Sequence, residues 1–597
     1  MNNEECKLYK DDINHDENQL LLKARIDNQT MAEDSNEAET EKSIDTYNKI
    51  VLIQTGKYFK YDEDSKMPVI DQIHSYVGYG KLQFIQFFVS GFIFFSEGFF
   101  LTMIPSVIIP MKEYFKINDL VICIINMMMF IFLAIGNLLG SHLSGNLKRK
   151  NLFVVALLFK IPCSILILFS RSLEVFTASF VIIGLSLGLI VPVAMNNLTE
   201  IIPIYMRAFT ITFVWCFFCM AQFLTPLLLS TFMPTLNHEN LFTVISIGVI
   251  ISNVVMMLSY ILFQESPRHL LFEKNTEEAF SLLEKMMNLK LNEKTKEKLI
   301  RETNIIIHET DIKNDDIKIN TNDINIDKII DINEHDEKNN NELFPHTIIN
   351  VEQNNLDKCE YVNAHDKNNI KKSNKHFSFD SNIKKLFSEK YKHITIITAS
   401  LWFINSMIFY GPSLILTVTI EKLSRYYNLR QETNEMNITK NANSDVVNSL
   451  YYYALAGLIS LSFSAFLSEV KYFGRRGSII ATYFFGFVSG SFMIIIPNKF
   501  IAFYLAMSFF TTIGYNIMGS YTSELYSTDI RDSALGFFFF VNRVGALISQ
   551  ILFLQFFKMS LNIPYIILFL LSLLASILSC SYPYDTLGRS LDSITKK

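Results

Sequence analysis

Twelve apolar blocks, separated by shorter polar joints, set the rhythm of this chain. About 20 residues at 1.5 Å rise cross a hydrocarbon core of roughly 30 Å, and each block reaches or approaches that length. The pattern predicts spans at Leu82–Ile104, Asp119–Gly140, Leu152–Ser172, Glu174–Asn196, Phe209–Phe232 and Leu241–Phe263. After a long polar gap it predicts six more, at His393–Val418, Ser449–Val470, Ser478–Ile496, Phe500–Tyr521, Ala534–Phe557 and Ile563–Cys580. Only helices and closed barrels satisfy every backbone polar group in lipid, and runs this continuous favour helices over short alternating strands. The chain therefore reads as an all-α membrane protein of twelve helices, arranged as two six-helix bundles at residues 81–272 and 385–582.

The polar segments divide the rest. Residues 1–80 form an acidic tail that is expected to be largely disordered and lacks the basic-then-apolar start of a secretory signal, so the first span is expected to serve as an uncleaved targeting signal. Residues 273–384 form a linker. Its first part, NTEEAFSLLEKMMNL at Asn275–Leu289, has helical apolar spacing and predicts a short amphipathic helix at the membrane surface. From Lys290 to Asn382 it is dominated by Asn, Asp, Lys and Ile and lacks the apolar surface needed to offset ordering entropy, which predicts disorder. Residues 583–597 form a short polar tail.

Composition sharpens this picture in a few places. Half of the 597 residues are hydrophobic and mean hydropathy is +0.24 despite the polar stretches, so apolar residues must be concentrated in blocks. A formal net charge of −5 leaves no nucleic-acid footprint. The cysteines are scattered without metal or disulfide spacing, and the Cys216/Cys219 pair sits inside a span as small packing residues. No nucleophile, metal or cofactor constellation marks an enzyme, no cofactor is called for, and no phosphate-binding loop marks a primary pump.

Charge inside the spans is the sharpest chemical signal. An ionised side chain at the bilayer centre costs roughly 3 kcal/mol on insertion scales, so it requires a partner or a watery cavity. Glu97 lies only about 5 to 7 Å from the middle of its span by helical rise, too deep for a short carboxylate to reach headgroups. Arg543 sits inside the eleventh block. Each reads either as a binding or coupling group or as a structural charge held by a neighbour. Gln222, Asn405, Asn516 and Tyr410 are further candidates for cavity lining or for joining helices, because interior polar groups seek hydrogen bonds in lipid.

Several stretches resemble a known family. YTSELYSTDIRDSALGFFFFVNRVGALIS, from Tyr521 to Ser549, is similar to the YTPEVYPTxxR…ARVGALI loop between the tenth and eleventh helices of major facilitator transporters. The resemblance is to the branch of synaptic-vesicle-type transporter-like proteins and organic anion and cation transporters. IHSYVGYGKLQF before the first span resembles that family's amphipathic lead and GFGKFQ. LTEIIPIYMRA resembles YAEFLPxxxRA, QESPRHLL resembles PESPRWLL, and YPYDTLGRSL resembles PETKGRxL. The matches recur in order and at the family's spacings.

The resemblance implies a major facilitator fold with both chain ends in the cytoplasm, where the loop charges alone leave the orientation open. It implies that the first and eleventh helices line a central cavity, that an arginine at the Arg543 position accompanies anionic substrates, and that Glu97 occupies a family acid position. It places Glu200, Arg207, Glu265, Arg268, Arg475, Arg476, Glu524 and Arg531 at the cytoplasmic helix ends, where acid–arginine pairs form a gate that closes and opens. Glu200 with Arg207 and Glu524 with Arg531 recur in both halves, as an internal repeat predicts. Lys160 falls in a peripheral helix and is expected to snorkel or to find a structural partner. Two loops depart from the pattern: GSHLSGNLKRK has Ser144 at the family's aspartate position, and SEVKYFGRRG has Lys471 there.

The reading is a secondary active or facilitative transporter of a small organic solute, an organic anion by the Arg543 argument, working by alternating access between the two halves. Its partners are membrane lipids, the solute and a proton as candidate coupling ion, with no nucleic acid. Its location is the plasma membrane or an intracellular vesicle membrane. The alternative is a non-transporting receptor or trafficking adaptor that keeps the fold and binds proteins through its tail and insertion. Orientation has a direct check. Asn437, in the sequon NIT of the outer loop between spans seven and eight, is expected to accept a glycan, and Asn28, in NQT of the tail, is not. A cysteine placed at Asn437 should react with an impermeant reagent from outside; reaction only from the cytoplasm reverses the orientation.

Overall fold

A computed structural model describes residues 58–59, 61, 68–303 and 384–586, except for short gaps at 145–146, 170, 235, 237, 429–434, 471–473, 497–498, 527 and 561–562. The expected disorder of most of the tail and of the central insertion, the C-terminal segment beyond 586, Lys471 and the Asn28 sequon all lie outside the described residues. Asn437 falls at the start of a helix.

The first bundle follows a short amphipathic helix, α1 (Val69–Val77). Its elements are α2 (Lys81–Ser106), the short α3 (Ile108–Phe115), α4 (Asp119–Ser144), α5 (Arg149–Phe169), α6 (Leu173–Ile201), α7 (Ile204–Phe232) and α8 (Leu241–Leu262). On the inner face, the one the sequence assigns to the cytoplasm, come α9 (Pro267–Phe272) and α10 (Thr276–Met287). The second bundle comprises α11 (Lys392–Asn428), α12 (Glu435–Glu469), α13 (Gly474–Ile495), α14 (Phe500–Leu525), α15 (Thr528–Met559) and α16 (Ile563–Cys580). Twelve of these helices are long and apolar enough to cross a membrane, and each overlaps one predicted span. The helices outrun the apolar blocks at several ends, because polar residues outside lipid continue a helix without penalty. Lys392–Asn428 runs ten residues past Val418.

Each half repeats one packing scheme. α2 packs on α7 as α11 packs on α15, α5 on α6 as α13 on α14, and α5 on α8 as α13 on α16. The halves meet where α4 lies against α15 and α7 against α12. Large apolar side chains such as Leu158, Val254 and Ile261 stay 62–68% exposed on the bundle exterior, the pattern of helices whose outer face meets acyl chains. Within the bundle the driving force is close packing, since lipid tails are as apolar as leucine. The tightest contact is α4 against α6, where Gly136 and Gly188 bring the two backbones together and a Cβ on Gly188 would collide with the Leu133 carbonyl.

The sequence boundary at residue 80 assigns the lead segment to the tail, but α1 is folded against the linker. Val69, Ile70 and Ile73 share a small core with Leu270, Leu271, Ala279, Leu283, Met287, Leu291 and Leu299. β1 (Tyr58–Phe59) pairs in parallel with β2 (Lys290–Leu291), and the Val69 amide donates to Glu302 at 2.9 Å. Gly78 ends α1 at φ 64°, a left-handed conformation that a side chain disfavours, and this turns the chain into α2.

Gly188→Val should force α4 and α6 apart and cost about 1–3 kcal/mol or more. Gly457→Ala, whose new Cβ would meet nothing nearer than Cys219 Sγ at 3.5 Å, should be tolerated. Apparent melting temperatures of the two purified variants check the contrast.

Candidate functional site

Two opposite charges meet at the seam between the halves. Glu97 on α2 pairs through Oε1 with Nη2 of Arg543 on α15, and both side chains are fully buried. Arg543 Nη1 donates to the Tyr410 hydroxyl on α11 at 2.7 Å, and the guanidinium lies 5.5 Å from the centre of that ring. The cost of isolating either charge in the bundle explains why they lie together. One valence on each side is left over: Glu97 Oε2 and Arg543 Nε have no hydrogen-bond partner.

The pair sits in an aromatic and amide shell that the sequence did not single out. Gln550, two helical turns beyond Arg543, donates to the Tyr410 carbonyl at 2.7 Å and lies 3.5 Å from Asn126 on α4. Asn542 donates to the Tyr515 hydroxyl at 2.9 Å. The chain's two tryptophans, Trp215 from the first half and Trp402 from the second, both pack on Tyr515, with ring centres 5.6 and 5.5 Å away. A signal for Gln550 was present, since an amide seven residues from a charge in an apolar span lies close to the same helix face, whereas Asn542, adjacent to Arg543, points off that face and gave none.

The other predicted lining residues fall elsewhere. Asn516 donates to Ser464 at 3.5 Å and Asn405 lies against Tyr483, both inside the second bundle. Gln222 lies at the seam between α7 and α12, where a Cβ on Gly457 would stand 3.8 Å from its side-chain oxygen. Lys160 does not snorkel. It is fully buried, donating to Asn253 Oδ1 at 2.7 Å and Ser252 Oγ at 3.2 Å, and Ser252 reaches Ser96 on α2 at 2.7 Å.

The seam is closed on both sides of Arg543. Towards the inner face a Cβ on Gly536 would collide with Ser141 Oγ, and Thr212 and Ser520 hydroxyls approach to 3.4 Å. Towards the outer face Thr417 donates to the Pro105 carbonyl at 3.1 Å, and Ser230 bonds Tyr451 at 2.7 Å. Beyond this outer closure a cavity of about 250 Å³ is lined by Ile108, Asp119, Val418, Leu554, Phe557, Lys422 and Lys558.

At the inner face the acids choose partners other than the neighbours in sequence. Glu200 is clamped by Arg149, whose two terminal nitrogens reach its two oxygens at 2.8 and 2.9 Å. Glu524 pairs with Arg475. Arg207 instead braces its own turn, donating to the Ile202 carbonyl five residues back at 3.4 Å, and Arg531 does the same to Tyr526 at 3.1 Å. Glu265 accepts from the Lys150 amide at 3.1 Å, as Asp585 accepts from the Arg476 amide at 3.2 Å. The repeat therefore consists of three matched contacts, each made once in either half. An arginine at the start of a third helix is what neutralises the acid at the end of a fourth.

Arg268 reaches out of this repeat to α1. Its Nη2 donates to Asp71 at 2.6 Å, with Arg207 4.0 Å from the same oxygen. Burial alone would raise the Asp71 carboxyl, but Arg268 and Arg207 outweigh it and hold it below its ordinary range. His74, one turn on, is buried with neither ring nitrogen hydrogen-bonded. Burial pushes it down to about 4, with Asp71 opposing and the two arginines adding to the shift.

The fold and site define a polytopic protein of two repeated six-helix bundles, closed around a buried charge pair at their interface. The Major Facilitator Superfamily profile matches residues 87–550, and the chain belongs to that superfamily. It is an integral, multi-pass membrane protein of a family of transporters that work by alternating access, not of enzymes. No curated protein matches the chain. Among solved structures it is similar to the proton:xylose symporter XylE bound to 6-bromo-6-deoxy-D-glucose, at 14% identity and TM-score 0.58, covering 86% of this chain and 98% of that one. It is also similar to XylE from E. coli in a partially occluded inward-open conformation, at 13% identity and TM-score 0.56, covering 86% and 100%. At these identities the likeness speaks for the fold alone.

The acid side of stability follows from α1. The unfolded chain protonates His74 below about pH 6.5, whereas the folded chain does so only near 4. Stability is therefore lost as pH falls through that window, by about 3 kcal/mol. His74→Leu should flatten the decline of apparent melting temperature between pH 6.5 and 4, measured on purified full-length protein.

Proposed function

We propose that this protein carries a small organic anion, with Arg543 as the group that receives it and Glu97 as the built-in counter-ion that the anion displaces. The observation that supports this is the half-used pair. Arg543 spends one donor on Glu97 and one on Tyr410, and its Nε–H has no partner. A guanidinium fork matches a carboxylate, sulfonate or phosphate with two parallel bonds, so an incoming anion offers it a better-satisfied arrangement than the one present. The charges come from opposite halves, and exchanging Glu97 for substrate unties α2 from α15. Substrate binding is thereby linked to the relative movement of the bundles.

Displaced from Arg543, Glu97 stands in a desolvated cavity with its charge uncompensated. A proton is the smallest partner that neutralises it, so this reading makes the proton the coupling ion. The cavity at the outer end of the seam, carrying Lys422 and Lys558, lies 11 to 15 residues along α15 from Arg543, about 16–22 Å by helical rise. It provides a cationic approach from that side.

Counterflow in proteoliposomes with labelled organic anions, organic cations and neutral sugars tests the reading. Anions should exchange, and Arg543→Ala should reduce their uptake by about 10- to 100-fold, the worth of a charge-assisted hydrogen bond of about 1.5–3 kcal/mol. Arg543→Lys keeps the charge but loses the fork and should be intermediate. Glu97→Gln should retain counterflow and lose acceleration by an imposed proton gradient. Incorporation into the liposomes is measured alongside, because breaking a buried pair also destabilises. Parental anion uptake by a correctly inserted Arg543→Ala protein, or exchange of sugars but not anions, overturns the proposal.

A further inference from the structure

The inner end of the first bundle holds a group of side chains that the transport reading leaves unused but for the hold of Glu265 on the Lys150 amide. Glu265, His269 and Glu273 follow one another at intervals of four residues, beginning just before α9 and ending at its C-cap. They turn one face of that helical stretch into a row of ligand atoms. One atom from each lies within 4.8 Å of the others, and among the described residues no other set of histidine, cysteine, aspartate and glutamate does this. We propose that these three residues bind a first-row divalent cation of the zinc class.

The geometry suits such an ion. His269 Nε2 stands 3.4 Å from Glu273 Oε1. That is the edge of a tetrahedron whose metal–ligand bonds are about 2.1 Å, as for zinc with nitrogen and oxygen donors. Two carboxylates and one imidazole form a mixed set that favours a transition metal over calcium or magnesium, which prefer oxygen throughout. A second observation points the same way. Glu265 spends only Oε1, on the Lys150 amide, while its Oε2 is shut off from solvent with no hydrogen-bond partner, and His269 Nε2 has only its long contact with Glu273. Buried acceptors of this kind are rare and call for a bound species to explain them.

The place matters because Glu265 anchors the start of α5, one residue from the arginine that clamps Glu200. A cation drawing Glu265 towards His269 and Glu273 would stiffen the link between α9 and this clamp. Metal supply would then set how firmly the inner end of the first bundle is held.

The test uses full-length protein purified in detergent, stripped with chelator and titrated with zinc against a competing chelator. Cobalt substitution serves as a spectroscopic probe. One zinc per chain should bind saturably and raise the apparent melting temperature, and the cobalt form should show the intense visible bands of a tetrahedral site. His269→Ala and Glu273→Gln should each weaken binding at least about tenfold. Glu273→Gln preserves shape at a partly exposed position and guards against misfolding of the alanine variant. No zinc uptake by the parent, or unchanged uptake by both variants, leaves only a histidine–glutamate contact one turn apart and overturns the site.

Discussion

The buried contact between Glu97 and Arg543 constrains everything around it. Each charge would be expensive alone in a lipid-embedded bundle, and among the described residues each finds its counter-charge in the other half. The two bundles are thus obliged to meet at this point or to bring in a substitute. Apolar packing is indifferent to which of several similar arrangements the bundles adopt, whereas an ion pair in a low dielectric is not. Tyr410, Tyr515, Trp215 and Trp402 pack as an aromatic cluster beside this contact.

At the inner face the same economy appears in duplicate. Arg149 with Glu200 and Arg475 with Glu524 each tie the start of one helix to the end of the next within a half. Arg207 and Arg531 hold the turns that follow. These contacts keep each bundle rigid and leave the seam between bundles to hydroxyls and close backbone approach, such as Thr212 with Ser520 and Gly536 with Ser141. At the inner face strong links lie within halves and weak links between them, the division of labour that rocking about a central site requires, while the ion pair of Glu97 with Arg543 ties the halves deeper in the seam.

The spans were legible because length and hydropathy decide them, and Glu97 and Arg543 stood out because their cost in lipid is large. Partner choice was not legible. Glu200 lies seven residues from Arg207 but is clamped by Arg149, 51 residues away in sequence, because helix packing rather than chain proximity sets which ends meet. Asn405 and Asn516 looked like cavity amides, yet both lie within the second bundle, since a polar residue in an apolar block does not announce which helix it faces. Asp71 and His74 were missed because the amphipathic lead was counted with the acidic tail, whereas a single turn of apolar residues, Val69, Ile70 and Ile73, is enough to dock α1 on the linker.

The docking of α1 has a geometric consequence for the two long polar stretches of the chain. The N-terminal tail departs at Tyr58 and the central insertion at Thr303, and the small inner-face core binds both points of departure, through the β1–β2 pair and the Val69–Glu302 bond. Points separated by more than two hundred positions along the chain are therefore held side by side. The inner-face core therefore joins three stretches that are remote in sequence, the lead helix, the start of the linker and its last described turn, into one unit that cannot loosen at one point without loosening at the others.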